Sequence, residues 1–267
     1  MPDDFVLALI LMGLAGLFVG FISALLGIGG GMLMVPALYY LLGFMGIHQS
    51  DQMHVAAGTS LLIMIATSVG SVSSHARDGN VVWKMTFRVL PGIVVGVVAG
   101  ALLASVLNTA VLVTVFAVVL FLVALIMIFS FKATPHERPI PGIPASLGVG
   151  SLIGFKSGLL GVGGGALSVP WLTWLGLPQN KVSGTSSTFT FPAAIVGTVA
   201  FLITGLGMVE FPYTIGFVFW PGLPVAGGAS ILATIVGARF ASRVPGRMLR
   251  IIFGVLLVLV SISMMTS

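Results

Sequence analysis

From Val89 to Phe131 the chain carries no charged residue, and only Asn108-Thr109 separates the stretch into two apolar runs. Two apolar runs of about 20 residues joined by so short a break fold as an antiparallel helical hairpin through a bilayer, because lipid leaves backbone groups no partner but their own helix. Composition extends the conclusion to the whole chain. Hydrophobic residues make up 58%, charged residues 6% and the mean hydropathy is +1.20, where soluble domains carry about 25% charge. The expected fold class is an all-α polytopic membrane protein. The net charge of +5 is spread over short loops, which reads as a topology signal and not as a surface for nucleic acid. With no cysteine, a disulfide framework and a thiolate metal site are both excluded. Asp3 and Asp4 precede any Lys or Arg, so the first segment is expected to stay in place rather than be cleaved as a signal peptide.

Ten apolar segments can be marked. Phe5 to Leu26, Ala56 to Ser74, Phe87 to Leu107 and Ala110 to Phe131 are of spanning length in the first half, and Met32 to Phe44 is short. The second half repeats the plan with Ile143 to Leu160, the short Leu167 to Leu177, Val182 to Leu206, Tyr213 to Phe240 and Met248 to Met265. Between them, Lys132 to Gly142 is charged and proline-rich and reads as a linker on the cytoplasmic side. The domains expected are a first repeat over 1–131, this linker over 132–142 and a second repeat over 143–267.

The duplication is marked most clearly by Gly27 to Pro36, GIGGGMLMVP, and Gly161 to Pro170, GVGGGALSVP, identical at seven of ten positions and 134 residues apart. Ala57 to Ser60 aligns in the same way with Ser183 to Ser186. Charge then decides the topology. If each half has five segments, Arg77, Lys84, Arg88, Lys132, Arg138, Lys181, Arg239, Arg243, Arg247 and Arg250 fall on one side, and both termini, Asp51 and Glu210 on the other. Four crossings per half would scatter the bases over both sides. The positive-inside rule therefore predicts two inverted repeats with both termini outside, an arrangement common among secondary transporters.

The glycine clusters break the helix inside the membrane, where irregular backbone survives only if protein or a watery cavity surrounds it. Short helices starting near Gly29, Gly30 and Gly31, and near Gly163, Gly164 and Gly165, would direct free N–H groups and a positive dipole end at an anion. Thr59, Ser60, Thr185 and Ser186 are expected in the first turns of their helices, capping them or donating to a ligand. Lys156 is the one ionisable residue inside an expected span; an ammonium there costs on the order of 3 kcal/mol, and an anionic substrate would offset it. The alternative is that Lys156 snorkels to the interface. His48, His54, His75 and His136 show no metal-ligand spacing. Neither HExxH nor GxSxG nor paired membrane aspartates is present, so an enzyme is not expected.

The doubled glycine motif, each copy followed by AAGTS or SGTSS, with a Pro-Gly pair in a later segment of each half, resembles the sulfite exporter TauE/SafE family of membrane transporters over nearly the whole chain. The resemblance implies passage of small anions, such as sulfite, sulfonates or related organic anions, across the bacterial inner membrane. Its motif positions map onto Gly27, Gly29, Gly30, Gly31 and Pro36, and onto Gly161, Gly163, Gly164, Gly165 and Pro170. No cofactor is expected. The partners expected are a small anion, the bilayer and a coupling proton or ion that the sequence does not name, with the oligomeric state left open. An anion channel and a non-transporting scaffold are the competing readings.

Overall fold

The computed structural model describes residues 2–26, 30–129, 139–241 and 246–266. Gly27, Gly29, most of the expected linker and Arg243 lie outside them. Within the described residues the chain is helical almost throughout. The first half forms α1 (Pro2–Leu26), α2 (Gly31–Phe44), α3 (Gln52–Arg77), α4 (Trp83–Val106) and α5 (Thr109–Ile128). The second forms α6 (Ile143–Leu160), α7 (Gly165–Trp174), α8 (Gln179–Thr204), α9 (Gly228–Ala241) and α10 (Gly246–Met265). Six of these, α1, α3, α4, α5, α6 and α8, are long and apolar enough to cross a bilayer. At 14 and 10 residues, α2 and α7 rise about 21 and 15 Å, short of the ~30 Å hydrocarbon core.

One expected segment is divided. Tyr213 to Phe240 is not one helix: Thr214–Ile215 (β1) and Val218–Phe219 (β2) form a small antiparallel hairpin, a π-helical turn covers Leu223–Gly227, and only then does α9 begin. These extra residues explain why the segment is longer than its counterpart. The two Pro-Gly pairs are not equivalent either. Pro91-Gly92 lies within α4, whereas Pro221-Gly222 leads into the π turn.

Glycine holds the long helices together. On α4 and α6, Gly92, Gly96 and Gly100 interleave with Gly150, Gly154 and Gly158. A Cβ at Gly96 would collide with the Ser151 carbonyl, and one at Gly154 with the Ile93 carbonyl. Such spacing lets backbone meet backbone, which is how helices associate in lipid. The pairing recurs between α1 and the π turn with α9, where Gly16 presses on the carbonyl of Ala226 in the turn and Gly20 on that of Ser230 in the helix. Ser230 adds a hydrogen bond to Gly16 O at 2.8 Å. The registers agree: Gly150 on Val89 and Gly154 on Ile93 become Gly16 on Ala226 and Gly20 on Ser230.

The corresponding helices of the two halves also pack on each other. Ser261 Oγ of α10 donates to Ala117 O of α5 at 2.8 Å, and Gly254 lies against Ala124, so α5 and α10 run antiparallel. Likewise Gly58 of α3 faces Phe201 of α8 while Leu61 faces Gly197, which makes α3 and α8 antiparallel at the centre of the bundle.

Because α4 and α6 touch through backbone, Gly154→Val should lower the thermal midpoint in detergent by the equivalent of at least ~1–3 kcal/mol. Gly148→Ala, on the same helix with nothing within 4 Å of the added carbon, should leave the midpoint unchanged in the same melting assay.

Candidate functional site: two glycine turns in contact

The turn leading into α7 is made locally by Gly161. With φ at 70°, it ends α6 in the left-handed region, and its N–H donates to Ser157 O at 3.0 Å. A side chain there would also strike Ala57 of α3, so glycine serves both the turn and the packing. Gly30 and Gly164 then occupy the N-cap positions of α2 and α7, with no side-chain cap. The early N–H groups of both helices therefore rely on partners outside their own helix. Pro36 and Pro170 stand at the sixth residue of each helix, where each withholds the N–H that Met32 O and Ala166 O would otherwise receive.

The two turns meet. A Cβ on Gly31 would lie 3.2 Å from Val162 Cα, 3.3 Å from Gly163 N and 2.8 Å from Met64 Sδ. A Cβ on Gly163 would collide with Met64 Cε and lie 2.6 Å from Thr190 Cγ2. Met64 of α3 and Thr190 of α8 are related by the register that aligns Ser60 with Ser186, so the junction is walled by one equivalent residue from each half. Sequence reasoning did not single out either of them. Their signal was their position one helical turn beyond Ser60 and Ser186, on the same helix face.

Lys156 belongs to this junction. It is 7% exposed, and its Nζ donates to Gly163 O at 2.8 Å. It does not snorkel: Nζ is held at the turn, on a helix that carries none of the chain's acidic residues. An ammonium has three donors and this carbonyl accepts one. Next to it, Met32, Phe116, Leu120, Val123, Leu160 and the Lys156 side chain bound a cavity of about 10 Å³, room for a single water. The turns are closed on each other.

The hydroxyls divide into two groups. Ser60 Oγ points to Met64 Sδ at 3.9 Å. Ser186 Oγ pairs with Ser168 Oγ at 2.6 Å, and the Ser186 carbonyl accepts from Thr190 Oγ1 at 3.3 Å. Both serines therefore connect to the wall of the junction. Thr59 and Thr185 do not. Thr59 Oγ1 accepts from Phe219 N at 3.0 Å, and Thr185 Oγ1 accepts from Val82 N at 3.0 Å. None of the four is in a first helical turn, since α3 and α8 start at Gln52 and Gln179. The polar residues ahead of the apolar runs continue the helix, which moves the hydroxyls inward. Gly31, Gly163 and Lys156 are thus brought together, with Gly30, Gly164 and Gly165 as the adjoining helix starts. Ser60 and Ser186 lie one step away, and Thr59 and Thr185 are engaged elsewhere.

A helical bundle with most of its long helices of spanning length, and with broken helices meeting at its centre, defines a multi-pass membrane protein. The chain belongs to the sulfite exporter TauE/SafE family, whose model matches residues 12–264. It is 30% identical over 253 residues to a probable membrane transporter protein of Haemophilus influenzae, covering 94% of this chain and 96% of that one. It is 27% identical over 255 residues to the probable membrane transporter protein MJ0441 of Methanocaldococcus jannaschii, covering 95% and 94% of the two chains. A further relative is the probable membrane transporter protein YunE of Bacillus subtilis, 28% identical over 218 residues and covering 74% and 80%. The family and these relatives place the chain among membrane transporters rather than enzymes.

Gly163→Ala should destabilise the protein by ~1–3 kcal/mol, read as a lower melting midpoint in detergent. Adding Thr190→Ser, which deletes the facing methyl and keeps the hydroxyl, should recover part of the loss, since the flexible end of Met64 can swing aside.

Proposed function

We propose that the chain is a secondary transporter of small anions, sulfite, sulfonates or related organosulfur anions, working by alternating access of two inverted halves in the bacterial inner membrane. The observation that supports this best is the contact of Gly31 with Gly163 beside the buried Lys156 ammonium. Two helix starts and a cation converge on one point, and an anion is what that field attracts. In the closed arrangement the Gly163 carbonyl takes the place of the substrate. When the turns part, an anion replaces that carbonyl on Lys156, with Ser60, Ser186, Ser168 and Thr190 within one helical turn of the opened space.

Inversion has two independent supports. Equivalent helices, α3 with α8 and α5 with α10, run antiparallel, as five segments per half require and four per half forbid. The loop charges agree, with the bases on the cytoplasmic side and both termini outside. On this reading the protein consists of repeats over 1–131 and 143–267 joined by a cytoplasmic linker. The coupling proton or ion is not assigned to a residue.

Purified protein in proteoliposomes should take up sulfite or a small sulfonate, with acceleration by the same anion preloaded inside. Lys156→Gln, which keeps a donor and removes the charge, should reduce the rate at least tenfold. Unchanged uptake in Lys156→Gln would remove the lysine from the site, and absence of uptake of every anion tried would overturn the transport reading. Uptake without preload acceleration, following the membrane potential alone, would make it a channel.

A further inference from the structure

A second repeated motif explains where Thr59 and Thr185 are engaged. Gly79 to Trp83 reads Gly-Asn-Val-Val-Trp and Gly216 to Trp220 reads Gly-Phe-Val-Phe-Trp, so Gly-x-Val-x-Trp occurs once in each half, 137 residues apart. Both glycines have positive φ, 68° and 56°, and both motifs lead the chain toward the helix that follows, α4 in one half and the π turn with α9 in the other. This is also the offset that relates the contacts of α4 to those of the π turn and α9: Val89 with Ala226 and Ile93 with Ser230.

Each motif is fastened to the central helix of the opposite half by matching contacts. Gly58 of α3 lies under the Phe217 carbonyl, so that a Cβ would collide with it, and Gly184 of α8 lies in the same way under the Asn80 carbonyl. One residue further on, Thr59 accepts from Phe219 N and Thr185 from Val82 N, both at 3.0 Å. One turn earlier, His54 stacks on the Phe217 ring with centroids 4.9 Å apart, and Asn180 Nδ2 donates to Asn80 Oδ1 at 2.8 Å. The Gly-Thr of AAGTS and SGTSS is therefore a seat for the Gly-x-Val-x-Trp of the other half.

The placement of the seats follows from the antiparallel α3 and α8. Gly58 faces Phe201, and Phe201 is roughly 24 Å along α8 from Thr185 at 1.5 Å per residue. One seat lies toward each end of the helix pair, and the glycine junction, walled by Met64 and Thr190, lies between them. Trp83 and Trp220, at the ends of the two motifs, are 47% and 37% exposed, as suits residues at opposite membrane interfaces. The seat holding Val82 adjoins Arg77, Lys84 and Arg88, on the basic side; the seat holding Phe219 adjoins Glu210, on the side without bases.

We infer that Thr59 and Thr185 are positioning residues of the transport cycle, each holding shut one mouth of the path to the glycine junction, and that the two seats are released in turn. This rests on the alternating-access reading above. Its physical basis is the kind of bond used. A neutral hydroxyl–amide hydrogen bond contributes only about 1 kcal/mol net, and in each seat the glycine meets a carbonyl rather than an interlocking side chain; the Phe219 seat carries in addition the His54–Phe217 stack and the Phe217 N–H bond to Phe201 O, so it is the more firmly held of the two. Both seats are engaged here and the junction is closed, an occluded arrangement. Release of one seat frees α4 or α9 to move with its glycine-packed partner, α6 or α1, each of which precedes one of the two glycine motifs in the sequence.

The chain has no cysteine, so it is its own background for labelling and cross-linking. Two double variants, Thr59→Cys with Phe219→Cys and Thr185→Cys with Val82→Cys, are to be cross-linked by mild oxidation in proteoliposomes. Locking either seat should cut sulfite flux at least tenfold, with recovery on reduction. In membrane vesicles of both orientations, a Met64→Cys reporter at the junction is to be labelled with an impermeant maleimide. Thr59→Val should speed labelling at least fivefold from the side without bases and Thr185→Val from the basic side, while Thr→Ser at either position keeps the unaltered rate. Full flux through a cross-linked seat, or equal changes from both sides in the two Val variants, would overturn the inference while leaving transport standing. If the unmodified protein moves no anion, the transport reading falls, and side-specific labelling still decides whether the seats close the two mouths.

Discussion

Inside a bilayer, apolar surface gives helices little reason to associate, because lipid tails cover it as well as protein does. What remains is close packing, and here it is backbone against backbone. The six interleaved glycines of α4 and α6 and the Gly16 and Gly20 contacts of α1 with the π turn and α9 bring each of these pairs to a separation that no larger side chain permits. The broken helices depend on this. Once α6 is anchored, the Gly161–Gly164 turn that follows it is delivered to the middle of the bundle, where surrounding protein shields its irregular backbone from lipid.

The pairings cross between halves. Helix α6 of the second half packs on α4 of the first, α1 on α9, and each Gly-Thr seat holds a segment from the opposite half. Neither half can therefore form its central contacts alone. The exchange also means that a shift in one pair is felt at a turn belonging to the other half, which is a useful property for a transporter.

The two glycine motifs are alike in sequence and unequal in the side chains around them. Around the junction the second half supplies Lys156, Ser168, Ser186 and Thr190. At the matching positions the first half has Ile22, Met34, Ser60 and Met64. The hydrogen-bond donors at the junction therefore come mainly from one side. The seats differ in a similar way, with an aromatic stack at His54 and Phe217 and paired asparagines at Asn80 and Asn180.

Much of this was legible in the sequence. The all-helical, membrane-spanning character of the chain and the short helices starting at Gly31 and Gly165 followed from hydropathy and the glycine clusters, which act on local stretches of chain. The division of the segment after Tyr213, the approach of Gly31 to Gly163, and the engagement of Thr59 and Thr185 by Phe219 and Val82 did not. The Gly-x-Val-x-Trp repeat was present in the sequence, but nothing local says what sits against it. The sequence by itself determined where the chain enters lipid and where its helices must break, because each residue pays its own transfer and backbone costs. Only the tertiary structure decided which broken ends meet and which hydroxyls are already occupied, because those depend on contacts between residues more than a hundred positions apart.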